Sequence, residues 1–386
     1  MSIKTKLIVA FLAIAIIPLL FATILSFNNT RDALKRLRIA ELENIADLKV
    51  DKIVEFFGDL EEDIEIAQEY YNIKINFSLM SKFAQERTNP EYIAAKKILD
   101  KQLKTLQKVK KFFDIMLVNP DGKIVYVTNE AHKVKDLDNP MPDPDGRAFN
   151  EGKKGIYFTE IFRNPAEDNK FSMLITAPVR GLDGEFIGII AFEVDMSPIY
   201  NFIQDVKGLG KTGETLIGKR KGKEILLLNP LRHDPEAALK RSINIGSRKG
   251  IPVQEAAQGK DGSGLTIDYR GEKVIGAWRY IPSLDWGLVA KIDASEAFAP
   301  IAALRHLLMI ILVIVLVSVG STALFIAESI SSPIRKLTKA ADKISKGETD
   351  VKLDIKAKDE IGALAKSFER MLTAIKIFKE DKEDKG

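Results

Sequence analysis

Few residues in this sequence are of a type and spacing that could support covalent or metal chemistry. The 386 residues include no cysteine, so disulfides, thiolate nucleophiles and cysteine-ligated metal centres are excluded. The three histidines (His132, His233 and His306) lie far apart and in no metal-ligand spacing. We therefore expect no metal, no cofactor and no catalytic residues in this chain.

A glycine-rich segment has the spacing of a nucleotide-binding loop but lacks its context. Gly208, Gly210 and Gly213 fit the dinucleotide pattern, and Lys211 follows as in the end of a phosphate-binding loop. The dinucleotide pattern must follow a strand and open a helix, whereas this segment follows a predicted helix and precedes a predicted strand. A phosphate-binding loop also needs a glycine where Asp205 stands. The segment is best interpreted as a connector.

Four aspartates lie close together in a stretch interrupted by prolines: Asp136, Asp138, Asp143 and Asp145. A calcium loop of the EF-hand type would end in a glutamate at its twelfth position, and none stands there. A solvated loop is therefore favoured over a calcium site. The formal net charge of +4 is also too small to indicate a nucleic-acid partner.

Two uncharged apolar runs, 7–27 and 307–326, are each long enough to cross a membrane, which takes about 20 helical residues. A cleaved secretory signal is the alternative for the first run, but no clear cleavage site follows it. Positive charges are concentrated after the second run, from Arg335 to Lys346, which indicates a cytoplasmic C-terminus. We predict a two-pass inner-membrane protein with both termini cytoplasmic.

The predicted segments follow from these spans. They are a cytoplasmic tail (1–6), a first span (7–27), an extracytoplasmic domain (28–303), a second span (307–326), a cytoplasmic segment (327–378) and a charged tail (379–386).

The extracytoplasmic part has an α+β pattern. Helical spacing in 31–67 and again from Pro90 to about Lys110 is followed by short strands that flank turn signals at 119–122 and 181–184. The same order recurs about 100 residues later, and each half ends with a strand, an aspartate and a helix. The helix that ends the second half, from Ser295, is expected to run on into the second span. We predict two lobes, about 110–206 and 207–293, that arose by duplication. Coincidence between two generic α+β meanders is the alternative.

Three sequence phrases make this region resemble a double Cache sensor domain. They are Ala177-Pro178-Val179 before a hairpin, the glycine-rich connector 208–215, and the tryptophan-bearing stretch 278–290. The resemblance covers most of residues 30–300. It implies two PAS-like α/β lobes on a long helix, with a small-molecule site in the membrane-distal lobe.

The resemblance also implies ligand-binding residues: Arg147, Phe149, Tyr157, Phe162 and Asp195. An arginine grips a carboxylate bidentately and an aspartate takes an ammonium group, so an amino acid or another small carboxylate or amine would fit. Phe149 and Phe162 stand where amino-acid-binding members of the family have tryptophan and tyrosine. The alternative is that Arg147 is an ordinary loop residue and Asp195 caps the next helix.

After the second span the sequence resembles a HAMP domain. Ser332-Pro333 predicts the start of a first helix, and Asp359 opens a second whose apolar residues keep a heptad spacing from Ile361 to Phe378. The resemblance implies a parallel four-helix bundle in a homodimer. It also implies five relay residues: Pro333, Gly347, Asp359, Glu360 and Gly362. A charged amphipathic hairpin on the membrane surface is the alternative.

These features predict a transmembrane receptor that senses a small extracytoplasmic molecule and signals through HAMP to a cytoplasmic partner in chemotaxis or a two-component system. The chain itself is not expected to be an enzyme. Its output is expected either in a separate partner or in a further domain, such as a histidine kinase, a diguanylate cyclase or a chemotaxis signalling domain. The alternatives are a non-sensing membrane scaffold and, less favoured, a membrane-anchored extracytoplasmic enzyme.

Overall fold

The computed structural model describes residues 2–132, 136–143, 145–346, 348, 350–357 and 359–383. The chain divides into two compact units. The helical unit comprises Met1–Leu34 and Phe298–Gly386, and the α/β unit comprises Lys35–Ala297. The predicted α+β domain with two long apolar helices is confirmed.

Three helices contribute to the helical unit: α1 (Ile3–Gln68, whose later residues lie in the α/β unit), α8 (Ala299–Ser345) and α9 (Glu360–Glu383). Helices α1 and α8 are long and apolar enough to cross a membrane, with mean hydropathies of 2.9 and 2.8 in their most apolar windows. The predicted spans 7–27 and 307–326 lie inside them.

The predicted helix start at Ser332-Pro333 is wrong, because α8 runs without interruption through Pro333. Proline removes one backbone donor from a helix, but the buried face of α8 continues on both sides, with Ser331 and Leu337 both buried. Helix α8 ends at Ser345. The predicted terminator Gly347 lies outside the described residues.

A second correction concerns the end of the α/β unit. A continuous helix from Ser295 into the second span is predicted, whereas α7 (Ala294–Ala297) ends before Phe298 and α8 begins at Ala299. The nitrogen of Pro300 carries no hydrogen and cannot donate to the carbonyl of Glu296, so the helical hydrogen-bond ladder breaks there.

The first lobe, about 110–206, is built on a six-stranded sheet ordered β2-β1-β6-β5-β3, with β4 also paired to β5. Its strands are β1 (Asp114–Val118), β2 (Ile124–Val127), β3 (Tyr157–Phe158), β4 (Phe162–Asn164), β5 (Lys170–Arg180) and β6 (Phe186–Asp195). The helical elements that the structure describes in this lobe include α4 (Ala148–Gly152), a 3₁₀ turn (Pro165–Glu167) and α5 (Ser197–Gln204).

The second lobe, about 207–293, has a six-stranded sheet ordered β10-β11-β12-β7-β8-β9. Its elements are β7 (Glu214–Lys221), β8 (Glu224–Leu227), β9 (Ser242–Asn244), α6 (Ile251–Ala256), β10 (Gly262–Ile267), β11 (Lys273–Ile281) and β12 (Trp286–Asp293). The order β8-β7-β12-β11 repeats the order β2-β1-β6-β5 of the first lobe. This repetition agrees with the predicted duplication.

Two helices precede the lobes: α2 (Tyr71–Lys82) and α3 (Pro90–Lys110). Helix α3 matches its predicted range. Helix α2 is not among the sequence predictions, although Ile73, Phe77 and Met80 have helical spacing and are fully buried.

Candidate functional site

One face of the first sheet brings together three of the residues predicted to bind ligand. Tyr157 lies opposite Thr176 on β5, while Phe162 and Asp195 both lie opposite Ser172 on the same strand. Residues opposite each other, and residues an even number of positions apart, project from the same face of a sheet. Tyr157, Phe162 and Asp195 therefore share one face of the sheet, although they belong to three different strands, β3, β4 and β6.

The other two predicted residues are on and beside the short helix α4. Arg147 is exposed immediately before this helix, and its guanidinium carbon lies 5.8 Å from the ring centre of Tyr157. Phe149 packs with Phe162 against the apolar core of this lobe. Burial raises the pKa of Tyr157, while the charge of Arg147 acts in the opposite direction.

The structure thus forms two groups rather than a single cluster. Arg147 meets Tyr157 at the level of Thr176 on β5, whereas Phe162 and Asp195 lie on either side of Ser172, four residues away along that strand, about 13 Å by strand geometry. Asp195 also has a local role, because its Oδ1 accepts a hydrogen bond of 2.8 Å from the backbone N–H of Ser197 at the start of α5. One of its carboxylate oxygens is thus engaged as the alternative interpretation predicts.

The same face carries a buried polar cluster that is not among the sequence predictions. His132 is buried, and its Nδ1 lies 3.0 Å from Oδ2 of Asp114 and 3.9 Å from Oδ2 of Asp136. Its Nε2 lies 3.0 Å from Oε1 of Glu167 in the 3₁₀ turn. Glu193 lies opposite Asp114 in the β1–β6 ladder. We refer to these five residues as the His132 cluster.

Backbone and hydroxyl groups fix the orientation of the Asp114 carboxylate. Its Oδ1 accepts hydrogen bonds from the N–H of Ile115, the N–H and hydroxyl of Thr128, and the N–H of Asn129, at 2.7–2.9 Å. Because these donors occupy Oδ1, the other oxygen, Oδ2, is the one presented to His132.

The electrostatics of the cluster are dominated by carboxylates. The hydrogen bond with Asp114 raises the pKa of His132 to about 9, against the opposing effect of burial, and the charge of Glu193 adds to the rise. Burial also raises the pKa of Glu193, which accepts a short hydrogen bond from Asn164. Its second oxygen, Oε2, is buried without a hydrogen-bond partner among the described residues.

Spacing between histidines could not reveal this cluster, since its other members are carboxylates and three of them, Asp114, Glu167 and Glu193, are far from His132 in sequence. A usable signal was present in the strands. Asp114 and Glu193 are charged residues within otherwise apolar, buried strands, where an ionisable side chain needs a partner.

The second lobe has a charged network at the equivalent position. Lys291 is fully buried on β12, and its Nζ lies 2.7 Å from Oδ2 of Asp268 and 2.8 Å from Oε1 of Glu214. Arg270 binds both Asp268 and Asp293. In this network, two basic side chains pair with three carboxylates.

Comparison with known families identifies this architecture. A Cache domain model of the double type matches residues 30–301, most of the chain. The chain belongs to the Cache domain family. A HAMP domain model matches residues 325–376, so the Cache sensor domain is followed by a HAMP domain, as predicted.

Relatives of this Cache–HAMP chain are methyl-accepting chemotaxis proteins. It is 25% identical over 381 residues to TlpB of Bacillus subtilis, and 24% identical over 391 residues to McpA of the same organism. Each alignment covers 97% of this chain and 51% of the relative. The chain therefore spans about half the length of these relatives.

Solved structures similar to the Cache domain are chemoreceptor sensor domains. The sensory domain of Campylobacter jejuni Tlp3 is 14% identical with a TM-score of 0.47, covering 70% of this chain and 99% of that chain. The ligand-binding domain of Pseudomonas aeruginosa PctB, solved with L-Arg, is 17% identical with a TM-score of 0.43, covering 67% and 96%.

Most of the predicted relay residues of the HAMP domain have defined positions. Asp359 caps α9, because its Oδ1 accepts the N–H groups of Ile361 and Gly362 at 3.1 and 3.3 Å. Glu360 is the first residue of α9, and Pro333 lies inside α8. A Cβ atom at Gly362 would lie 2.0 Å from the carbonyl oxygen of Ala357, so this position requires glycine.

Proposed function

We propose that this chain is the sensing and relay part of a chemoreceptor whose first lobe binds a small molecule bearing a carboxylate, an amine or both. The observation that carries the proposal is the shared sheet face, which has a guanidinium at one level and a carboxylate at another. Arg147 would bind a ligand carboxylate at one level of β5, and Asp195 would bind an ammonium group at the other level, so a ligand that meets both residues must be long enough to span the two levels.

The aromatic residues would form the apolar part of the site. Tyr157 supplies a ring beside Arg147 and a hydroxyl group, whereas Phe149 and Phe162 present only apolar surfaces. With phenylalanine at these two positions, the chain would recognise the ligand through its end groups and its apolar body. Amino acids and small organic acids or amines are therefore the proposed ligand classes.

The membrane topology predicted from the sequence would place the sensing domain and the HAMP domain on opposite sides of the membrane. The domain 28–303 would be extracytoplasmic, with both termini in the cytoplasm, as the positive charges after 326 favour. A ligand that binds two states of the first lobe with different affinity would shift their populations, and α8 would pass the change to the HAMP domain. The receiving partner would be a cytoplasmic signalling protein, as the family of the relatives suggests.

The HAMP domain would act as a homodimer. Helices α8 and α9 contact each other within one chain. On α9, Leu364 is 53% exposed and Met371 is 47% exposed, one heptad apart. A second copy of the chain would bury these residues in a parallel four-helix bundle.

Thermal unfolding of the full chain in detergent, with a panel of amino acids, organic acids, amines and purines, tests the sensing proposal. A ligand at one hundred times its dissociation constant should stabilise the folded state by about 2.7 kcal/mol. Stabilisation by none of the compounds would contradict a metabolite sensor and favour the scaffold.

Two pairs of variants locate the site. Arg147→Ala should abolish the ligand-induced stabilisation, whereas Arg180→Ala, which removes an exposed arginine of the same lobe, should not. Asp195→Asn keeps an oxygen for the N–H of Ser197 but loses the negative charge, so it isolates the electrostatic contact. Its control is Asp168→Asn, at an exposed position of the same lobe. An effect that survives both site variants would place the ligand elsewhere.

A further inference from the structure

The two lobes differ in charge at one pair of positions that their repeated strand order makes equivalent. In the second lobe, Glu214 on β7 lies opposite Lys291 on β12, and their side chains form an ion pair. In the first lobe, the corresponding ladder of β1 and β6 places Asp114 opposite Glu193. In each pair, the residue on the last strand of the lobe lies two positions before the aspartate that ends that strand: Glu193 before Asp195, and Lys291 before Asp293. The second lobe therefore supplies its own cation there, whereas the first lobe has two acids.

Because Asp114 and Glu193 are both buried, their two acidic groups need a partner inside the protein. Asp114 is fully buried and Glu193 is 1% exposed, so neither carboxylate has bulk water to screen it. Buried carboxylates are stable only when they are protonated, paired or bound to a metal. Among the described residues, the basic group in contact with this pair is the imidazole of His132, which also contacts Glu167 and lies near Asp136.

We propose that Asp114, His132 and Asp136 of the first lobe bind a divalent first-row transition metal ion, such as Zn²⁺, with Glu167 as the supporting carboxylate. One ligand atom from each of the three residues lies within 4.8 Å of the others. With metal–ligand distances of about 2.0–2.2 Å, tetrahedral ligands lie roughly 3.3 Å apart. The distances of 3.0 and 3.9 Å from Nδ1 to Asp114 and Asp136 require only small adjustments.

The orientation of each ligand fits this assignment. Hydrogen bonds to Oδ1 of Asp114 leave Oδ2 as the coordinating oxygen. The metal would replace the proton on Nδ1 of His132, while Nε2–H continues to donate to Glu167. A carboxylate behind a metal-bound imidazole is the usual arrangement that fixes its tautomer.

The nitrogen ligand favours a transition metal over Ca²⁺ or Mg²⁺. An imidazole nitrogen suits Zn²⁺, Co²⁺ and Ni²⁺, whereas Ca²⁺ and Mg²⁺ take oxygen ligands. The buried Oε2 of Glu193, opposite Asp114 on β6, has no hydrogen-bond partner among the described residues and independently indicates a cation of either kind at this place. The site lies on the sheet face proposed for ligand binding, but its existence does not depend on that proposal.

Cobalt titration of the full chain provides the test, because Co²⁺ bound by nitrogen and oxygen ligands absorbs visible light. The protein should carry an affinity tag without histidine and be stripped with a chelator first. The chain contains only three histidines and no cysteine, so background sites are few. We expect one Co²⁺ per chain, displaced by Zn²⁺ but not by Mg²⁺.

Variants connect the signal to the assigned residues. His132→Gln and Asp136→Asn should abolish stoichiometric binding, and Glu167→Gln should weaken it by about 10–100-fold. His233→Gln, at a histidine on the exposed surface of the second lobe, should leave it unchanged. Asp136 is at the rim of the cluster, so its variant should fold even where the His132 variant does not.

Glu193→Lys tests the charge argument directly, because it introduces the cation that the second lobe has at this position. This variant should keep the thermal stability of the wild type and lose the metal. The proposal is overturned by a wild-type chain that binds no Co²⁺ or Zn²⁺ in the micromolar range. Unchanged binding in His132→Gln, in Asp136→Asn or in a folded Glu193→Lys variant would overturn it equally.

Discussion

Lys49 is a buried cation on α1 whose ammonium group donates to three backbone carbonyls at the end of α5. Its Nζ lies 3.0, 2.6 and 3.0 Å from the oxygens of Phe202, Ile203 and Asp205. Carbonyl groups at the end of a helix attract a cation. Burial nevertheless lowers the pKa of Lys49 to about 8, against the raising effect of the Asp205 charge.

This shift predicts a measurable pH dependence of stability. Between pH 8 and the ordinary lysine pKa of 10.5, the folded chain loses the Lys49 proton while the unfolded chain keeps it. Stability rises with pH wherever the unfolded state binds more protons, by up to about 1.4 kcal/mol per pH unit for one group. Thermal unfolding from pH 7.5 to 9.5 should therefore favour the wild type increasingly over Lys49→Met. Lys52→Met, at an exposed lysine of the same helix, is the control variant. A difference between wild type and Lys49→Met that stays constant with pH would contradict the prediction.

The resemblance to a known family is the source of the proposed ligand-binding roles, and those roles stay predictions. The pattern indicated Arg147 and Tyr157, and the structure places their side chains in contact. The environments of His132 and Lys49 could not be predicted in the same way. Their partners are set by strand register and helix packing, which bring together residues that are 18 and 153 positions apart, respectively.

At the scale of elements, one aromatic residue of α1 connects the two lobes. The ring of Phe57 lies 5.5 Å from that of Phe158 in the first lobe and 5.3 Å from that of Trp286 in the second, each edge to face. Phe158 follows Tyr157, so it projects from the sheet face opposite to the proposed ligand site. A second connection is the ion pair of Glu160 and Lys219, at 2.8 Å.

Phe57→Ala should therefore lower stability and weaken communication between the lobes. The loss of a buried phenylalanine typically costs about 3–5 kcal/mol. Phe57→Leu keeps most of the apolar volume and should recover most of the stability, but not the edge-to-face contacts. Hydrogen exchange of β12 in the presence of a first-lobe ligand measures communication. An equal ligand effect on β12 in wild type and in Phe57→Leu would show that the aromatic contacts are dispensable.

Gly362 gives a prediction for the start of α9. A methyl group there would collide with the Ala357 carbonyl, so Gly362→Ala should destabilise this end by about 1–3 kcal/mol, as overpacking does. Ala363→Gly, at the exposed next position, should cost about 1 kcal/mol through helix propensity alone. Hydrogen exchange of residues 359–366 compares the two variants. Equal exchange in both would contradict a steric requirement for glycine.

Elements with a strong local signal could be predicted well. The α3 range and the cap at Asp359 both follow from proline position or capping chemistry. Errors arose at prolines, where local rules conflict with packing. Pro333 has the sequence context of a helix start but lies inside α8, whereas Pro300 does mark the beginning of that helix.

At the scale of the whole molecule, the proposed homodimer can be tested by disulfide cross-linking, since any cross-link must come from an introduced cysteine. Single-cysteine variants Leu364→Cys and Met371→Cys lie on the exposed apolar seam of α9. Lys366→Cys and Thr373→Cys are matched controls. They are also exposed and seven residues apart, but each lies two residues after a seam position and therefore on a different side of the helix.

A parallel bundle brings the same seam position of two chains together, and a disulfide needs Cα atoms within about 7 Å. Oxidation of membranes should therefore convert the two seam variants to covalent dimers and leave the two controls monomeric. Random collision would cross-link all four variants equally, and a monomeric chain would cross-link none. Dimerisation confined to the seam would also explain why α9 keeps Leu364 and Met371 on its surface, since the apolar area that they expose in one chain becomes buried between two.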